Sequence, residues 1–204
     1  MRRPALLRQV FALCASSPAQ IVSLQKLQGQ LQDAGALATI AHYLSLLEDA
    51  FLVAALEKHP VRAMRRRAAP PKLVTLNNAL LAVSDPRGVP DHATNPSRFG
   101  AWIENACLAY AWNSGQRVLY WREEPYEVDA VLDGSWGHWA IEVKTGSFDA
   151  TALRGLGEFT RRFPQYRPLV ICDKSSLNAA RRAGVESIDW RDFLLRGLAA
   201  EDRA

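Results

Sequence analysis

The 204-residue chain has only three cysteines, Cys14, Cys107 and Cys172, widely spaced and without a CxxC pair. Neither a disulfide framework nor a thiolate zinc site is expected from them, and such usage fits a reducing, cytoplasmic setting. No apolar run approaches the roughly 20 residues of a membrane span. In "MRRPALLRQVFALCASSPA", Arg8 and Gln9 interrupt the apolar centre a signal peptide needs, so this stretch reads as a helix of the mature protein. His42, His59, His92 and His138 are scattered, and none stands beside a Ser or Cys in a nucleophile setting. A GxxxxGK[ST] phosphate loop is missing, so ATP hydrolysis is not expected. "GLGEF" at 155–159 contains a GxG, but within a helical pattern rather than after a strand, which argues against a dinucleotide fold. There is no internal repeat and no low-complexity tract.

What is present is a globular composition, 49% apolar, with a modest net charge of +4. Of the 25 basic residues 20 are Arg, the side chain best suited to forked phosphate contacts. An acidic partner and a merely arginine-rich composition explain this equally well.

Two turn-rich, polar breaks divide the chain, "KHPVRAMRRRAAPPK" at 58–72 and "SDPRGVPDHATNPS" at 84–97. Before the first, Leu6, Leu7, Val10, Phe11 and Leu13 suit one amphipathic helix and "LQKLQGQLQ" a second. After a turn at Gly35, "ATIAHYLSLLEDAFLV" puts Ile40, Tyr43, Leu44 and Leu47 on one stripe and runs into a short strand. With "KLVTL" as a second strand, this is the order of a winged helix-turn-helix over 1–83, with 58–71 as the wing. The third helix offers only Thr39, His42 and Ser45 on its polar face, a poor set for reading bases. Arg62, Arg65, Arg66, Arg67 and Lys72 could hold phosphates without reading sequence, or form a solvated basic loop.

Beyond the linker at 84–97, residues 98–204 read as helix, three strands, helix, strand, helix, strand: an α/β domain with a central mixed sheet flanked by helices. Its most informative stretch is "EVDAVLDGSWGHWAIEVKTG", 127–146. A turn centred on Ser135 and Trp136, closed by Gly134 and Gly137, sets Asp133 opposite His138, Val131 opposite Ala140 and Asp129 opposite Glu142. Strand alternation then gathers Glu127, Asp129, Glu142 and Lys144 on one face and an apolar set on the other. Two carboxylates directly opposite repel by a few tenths to about 1 kcal/mol, whereas a divalent cation between them turns repulsion into coordination. A solvated acidic face with Lys144 paired to Glu127 or Glu142 is the competing reading. Glu104, the only charged residue between Arg98 and Arg117, sits among apolar neighbours and would bring a third carboxylate if its helix packs on that face.

Glu104 on a helix, Asp129 on a strand and "EVK" at 142–144 on the next resemble the PD-(D/E)XK nuclease superfamily and its restriction-endonuclease-like core. More widely, "YLSLLEDAFLVAAL", "PPKLVTLNNALLA", "FGAWIENACLAY", "LYWREEPYEVDAVL", "IEVKTGSFDA" and "VESIDWRDFLL" resemble the C-terminal region of prokaryotic AAA-type ATPases, where a winged helix precedes a nuclease-like domain of unknown function. The resemblance implies Asp129 and Glu142 as ligands of Mg²⁺ or Mn²⁺, helped by the Val143 carbonyl. It also implies Lys144 as catalytic lysine and Glu104 as a helix carboxylate reaching the metal directly or through water. The ATPase domain that usually precedes this region has no counterpart here. The expected function is metal-dependent hydrolysis of DNA phosphodiesters, with Arg98, Arg122 and Arg154 among the phosphate contacts. The alternative is a catalytically silent nuclease-fold module that binds DNA or protein and regulates an AAA-type ATPase partner. No membrane partner is expected, and oligomeric state is left open.

Overall fold

The computed structural model describes residues 3–31, 35–60 and 69–199, so the expected arginines of the wing, Arg62, Arg65, Arg66 and Arg67, lie outside the described residues. The chain is mixed α/β: a helical N-terminal region with a small three-stranded sheet, then a five-stranded mixed sheet flanked by helices.

The N-terminal half begins with α1 (Pro4–Ser16), β1 (Gln20–Ile21), α2 (Leu24–Gln30) and α3 (Leu37–Asp49), followed by β2 (Val53–Leu56) and β3 (Lys72–Thr75). The stripe on α3 is buried as its spacing predicts, Ile40, Tyr43, Leu44 and Leu47 packing with Leu6, Val10 and Leu27. Ser23 caps α2 by accepting from the Lys26 N–H. The strands pair antiparallel in the order β1-β3-β2, and the two-residue β1 is too short to leave a period-2 signal in the sequence.

Helix α4 (Asn78–Ser84), unassigned by periodicity, is started by Asn77, whose side chain accepts from the Ala79 N–H. Helix α5 (Pro96–Asn113) follows, with Asn95 as cap and Pro96 at its first position. Then come β4 (Arg117–Glu123), β5 (Tyr126–Gly134), β6 (Gly137–Lys144), α6 (Arg154–Arg162), β7 (Arg167–Cys172), α7 (Leu177–Arg182), β8 (Glu186–Asp189) and α8 (Trp190–Arg196). Sheet order is β4-β5-β6-β7-β8, antiparallel through β6 and parallel from β6 to β8. Helices α5 and α8 cover one face, over Ala130, Leu132, Ile141 and Val143. Helix α6 covers the other, over Val131, Ala140 and Val170. The hairpin therefore has no continuous acidic face: both faces of its strands are core, and charge is confined to the strand ends.

The first core also takes in Ala54 and Leu56 of β2, Val74 of β3 and Leu76 just beyond it, so the two halves share packed apolar surface. Polar links reinforce it. The Tyr120 N–H donates to the Glu57 carbonyl at 3.1 Å and the Tyr120 carbonyl accepts from the His59 N–H at 2.6 Å, tying the end of β2 to β4. Asn105 on α5 is fully buried and treats Thr75 as a neighbouring strand would, accepting from its N–H at 3.0 Å and donating to its carbonyl at 2.8 Å. No helix among the described residues is long and apolar enough to cross a membrane.

Candidate functional site

The hairpin register is the one its turn chemistry predicts: Gly134 faces Gly137, Asp133 faces His138 and Val131 faces Ala140. Pairing stops at Ala130 and Ile141, one step short of Asp129 and Glu142. The cause is a bulge on the other side of β5. Leu119 faces Val131 and Trp121 faces Val128, so two residues of β5, Asp129 and Ala130, stand against the single Tyr120 of β4. The extra residue turns Asp129 out of the ladder, and its carboxylate accepts from the Val143 N–H at 2.8 Å, where a strand carbonyl would ordinarily stand. Val143 was expected to contribute its carbonyl; the contact it makes here is through its N–H. Glu127 does not face Lys144 as simple alternation requires, but lies opposite Arg122 on β4.

Four expected site residues do gather at these strand ends, in two ion pairs. Lys144 donates to Glu142 Oε1 at 2.6 Å. The other pair was not anticipated. The Lys72 ammonium lies 2.5 Å from Glu104 Oε1, 3.4 Å from Asp129 Oδ1 and 3.8 Å from Glu127 Oε1, and donates to the Asp129 carbonyl at 3.2 Å. Lys72 is 1% exposed, so its expected role as a phosphate contact is corrected: as placed it faces carboxylates inside the protein. Strand geometry explains this, since Leu73 enters the N-terminal core while Val74 enters the core shared with the large sheet, and Lys72 lies on the side of Val74. A lone cation at the mouth of an apolar strand, directly after Pro70 and Pro71, was the available sequence signal.

Electrostatics follow from crowding. Burial and then the Asp129 charge push the Glu104 carboxyl up to about 8, against the opposing pull of Lys72. Burial and then Asp129 likewise push Glu142 up to about 8, against Lys144. For Lys72, burial disfavours the charge but the surrounding carboxylates, Glu104 foremost, outweigh it and hold the ammonium protonated. Lys144 is shifted upward in the same way, burial being outweighed by Glu142.

Does a divalent ion suit these donors? Glu142 is 8% exposed and its Oε2 is buried without a hydrogen-bond partner, a hard oxygen left open beside Asp129, and hard oxygens are what Mg²⁺ and Mn²⁺ take. Glu142 and Asp129 are the freer carboxylates for an ion, Asp129 Oδ1 lying 3.4 Å from the Lys72 ammonium, whereas Glu104 is held by that ammonium at 2.5 Å. Consistent with that division, no three His, Cys, Asp or Glu side chains among the described residues converge as an ion's ligand set.

Of the expected DNA-contacting arginines, Arg98 is turned inward and pairs with Asp85 at 3.1 Å. Arg122 pairs with Glu124 at 2.5 Å, and Arg154 is exposed. A cleft of about 800 Å³ lies elsewhere, between α2–α3 and β4, lined by Ser45, Glu48, Pro71 and Arg117 among others. Glu48 and Glu57 line it, and Asp129, Glu142 and Lys144 do not.

Two family models match the chain. Residues 1–87 match "Domain of unknown function (DUF8612)" and residues 99–191 match "Domain of unknown function (DUF4143)", the latter typically found with AAA ATPases. No curated protein and no solved structure matches it.

Proposed function

We propose that the chain is a metal-dependent hydrolase of DNA phosphodiester bonds, with a PD-(D/E)XK-type site at the parted ends of β5 and β6. The observation that carries this reading is the open Oε2 of Glu142, buried beside Asp129 and next to the Glu142–Lys144 ion pair. Asp129 and Glu142 would hold Mg²⁺ or Mn²⁺. The ion, when bound, supplies Lewis-acid polarisation of a phosphate oxygen and a more acidic water. Lys144 is 29% exposed, so its ammonium can meet a phosphate oxygen or orient water while Glu142 fixes its position. The Val143 N–H fixes the Asp129 carboxylate through Oδ2, with Oδ1 towards Lys72. The N-terminal half, read as a winged helix with few base-reading side chains, would bring DNA by phosphate contacts, and a net charge of +4 agrees with that.

The test is incubation of plasmid and linear DNA with Mn²⁺, beside Asp129→Ala and Lys144→Ala. Cleavage lost in both variants supports the proposal; equal background in all three proteins sinks it. One observation favours a second reading, a silent module serving an AAA-type ATPase: the engagement of Glu104 by Lys72 leaves fewer carboxylates for an ion. Under that reading the wild type cuts nothing with either metal, and the match to a domain found with AAA ATPases points to the partner to add.

A further inference from the structure

Lys72 belongs to the N-terminal half, yet its ammonium ends among carboxylates of α5 and β5. Its three donor positions are matched by Glu104 Oε1 at 2.5 Å, the Asp129 carbonyl at 3.2 Å and Asp129 Oδ1 at 3.4 Å. At 1% exposure it has no solvent to turn to. Its strand is fixed on both sides, by Leu73 in the N-terminal core and by the grip of Asn105 on Thr75. Nothing in the packing of β3 calls for a cation: Leu73 and Val74, which follow, are both fully buried apolar residues.

We infer that Lys72 is an internal cation that stands at the Glu104 side of the candidate metal site and excludes a divalent ion from Glu104. This rests on the metal-site reading above. Oxygen ligands of Mg²⁺ lie at about 2.1 Å, and the ammonium 2.5 Å from Glu104 Oε1 occupies that oxygen; unlike the 29% exposed Lys144 beside Glu142, Lys72 is 1% exposed and cannot swing out to solvent to make way for an ion. Two positive charges at one carboxylate also repel strongly in a partly buried site. The ion is therefore confined to Asp129 and Glu142. The same lysine that neutralises the resting site thus limits its loading.

Calorimetric titration of the full chain with Mn²⁺ tests this, using the wild type, Lys72→Met, Glu104→Gln and the double variant. Lys72→Met is expected to bind Mn²⁺ at least about tenfold tighter, with the gain lost when Glu104→Gln is added. Wild-type binding with Lys72→Met equal or weaker overturns the inference alone. Binding by neither protein overturns it together with the metal-site reading. Should Lys72→Met fail to fold, Lys72→Gln, which keeps a polar donor and removes the charge, takes its place: tighter Mn²⁺ binding than wild type supports the inference, and equal or weaker binding overturns it.

Discussion

Asn105→Ala is the perturbation whose cost follows most directly from the fold. Asn105 is fully buried and serves Thr75, itself 1% exposed, as both acceptor and donor, and it also donates to Asn78 Oδ1 at 2.7 Å. Truncation leaves the Thr75 N–H and carbonyl inside without partners. Each such orphan costs about 1–3 kcal/mol, so the two together cost about 2–6 kcal/mol, before any repacking of the vacated volume. Asn113 is the control on the same helix: it is exposed and gives one bond, to the Leu76 carbonyl at 3.0 Å, so Asn113→Ala should cost about 1 kcal/mol or less. Urea unfolding followed by circular dichroism reads both, and the slope should be unchanged because the exposed surface on unfolding is the same. An Asn105→Ala loss no greater than that of Asn113→Ala would refute the view that this side chain clamps β3 to α5. The clamp matters beyond stability, because β3 carries Lys72 and α5 carries Glu104.

Three further outcomes can be stated. Folding lifts Glu104 and Glu142 from the usual carboxylate range to about 8, so the folded chain keeps protons that the unfolded chain has lost. The stability they confer is complete below about 4.5 and is lost as pH rises through 8; midpoints at pH 5.5 should exceed those at pH 9, and flat midpoints would contradict the crowding. Glu142→Gln removes a repelling charge whose Oε2 has no partner, so at pH 8 it should leave the urea midpoint unchanged or raised while Mn²⁺ heat falls at least tenfold; a lowered midpoint would show that the charge is needed for folding. Gly155→Ala puts a Cβ 2.0 Å from the Glu127 carbonyl, where α6 lies directly on β5, and should cost more than about 2 kcal/mol. Gly157→Ala, with nothing within 4 Å, should be neutral or slightly stabilising; similar losses in both would discredit the close approach.

That contrast shows why "GLGEF" has its first glycine: backbone packing, not phosphate binding. Elements with strong periodicity or turn chemistry were legible in the sequence, among them the α3 stripe, the β5–β6 register about Ser135 and Trp136, and the chain order of the helices and strands around a mixed sheet. The short pieces were not. Strand β1 has two residues, and α4 and α8, with seven each, are set by the capping side chains of Asn77 and Asp189 rather than by a long apolar stripe. Alternation also failed locally at Asp129, because a bulge adds one residue to β5 and no composition signal marks it. Asp129, Glu142, Lys144 and Glu104 were visible as charged residues with awkward neighbours. Lys72 opens the strand "KLVTL" directly after two prolines and a basic loop, so its charge looks like part of that solvated loop, and only tertiary packing shows that its side chain turns inward to Glu104. The arrangement of Lys72 against Glu104 is a through-space fact that spacing along the chain does not encode.

The central claim, that the parted ends of β5 and β6 hold a divalent ion, is tested most directly by a crystal structure grown with Mn²⁺ and examined by anomalous scattering. The account predicts one ion bound by the Asp129 and Glu142 carboxylates, with Lys72 still on Glu104. A saturating Mn²⁺ structure with no anomalous peak between Asp129 and Glu142 would contradict it.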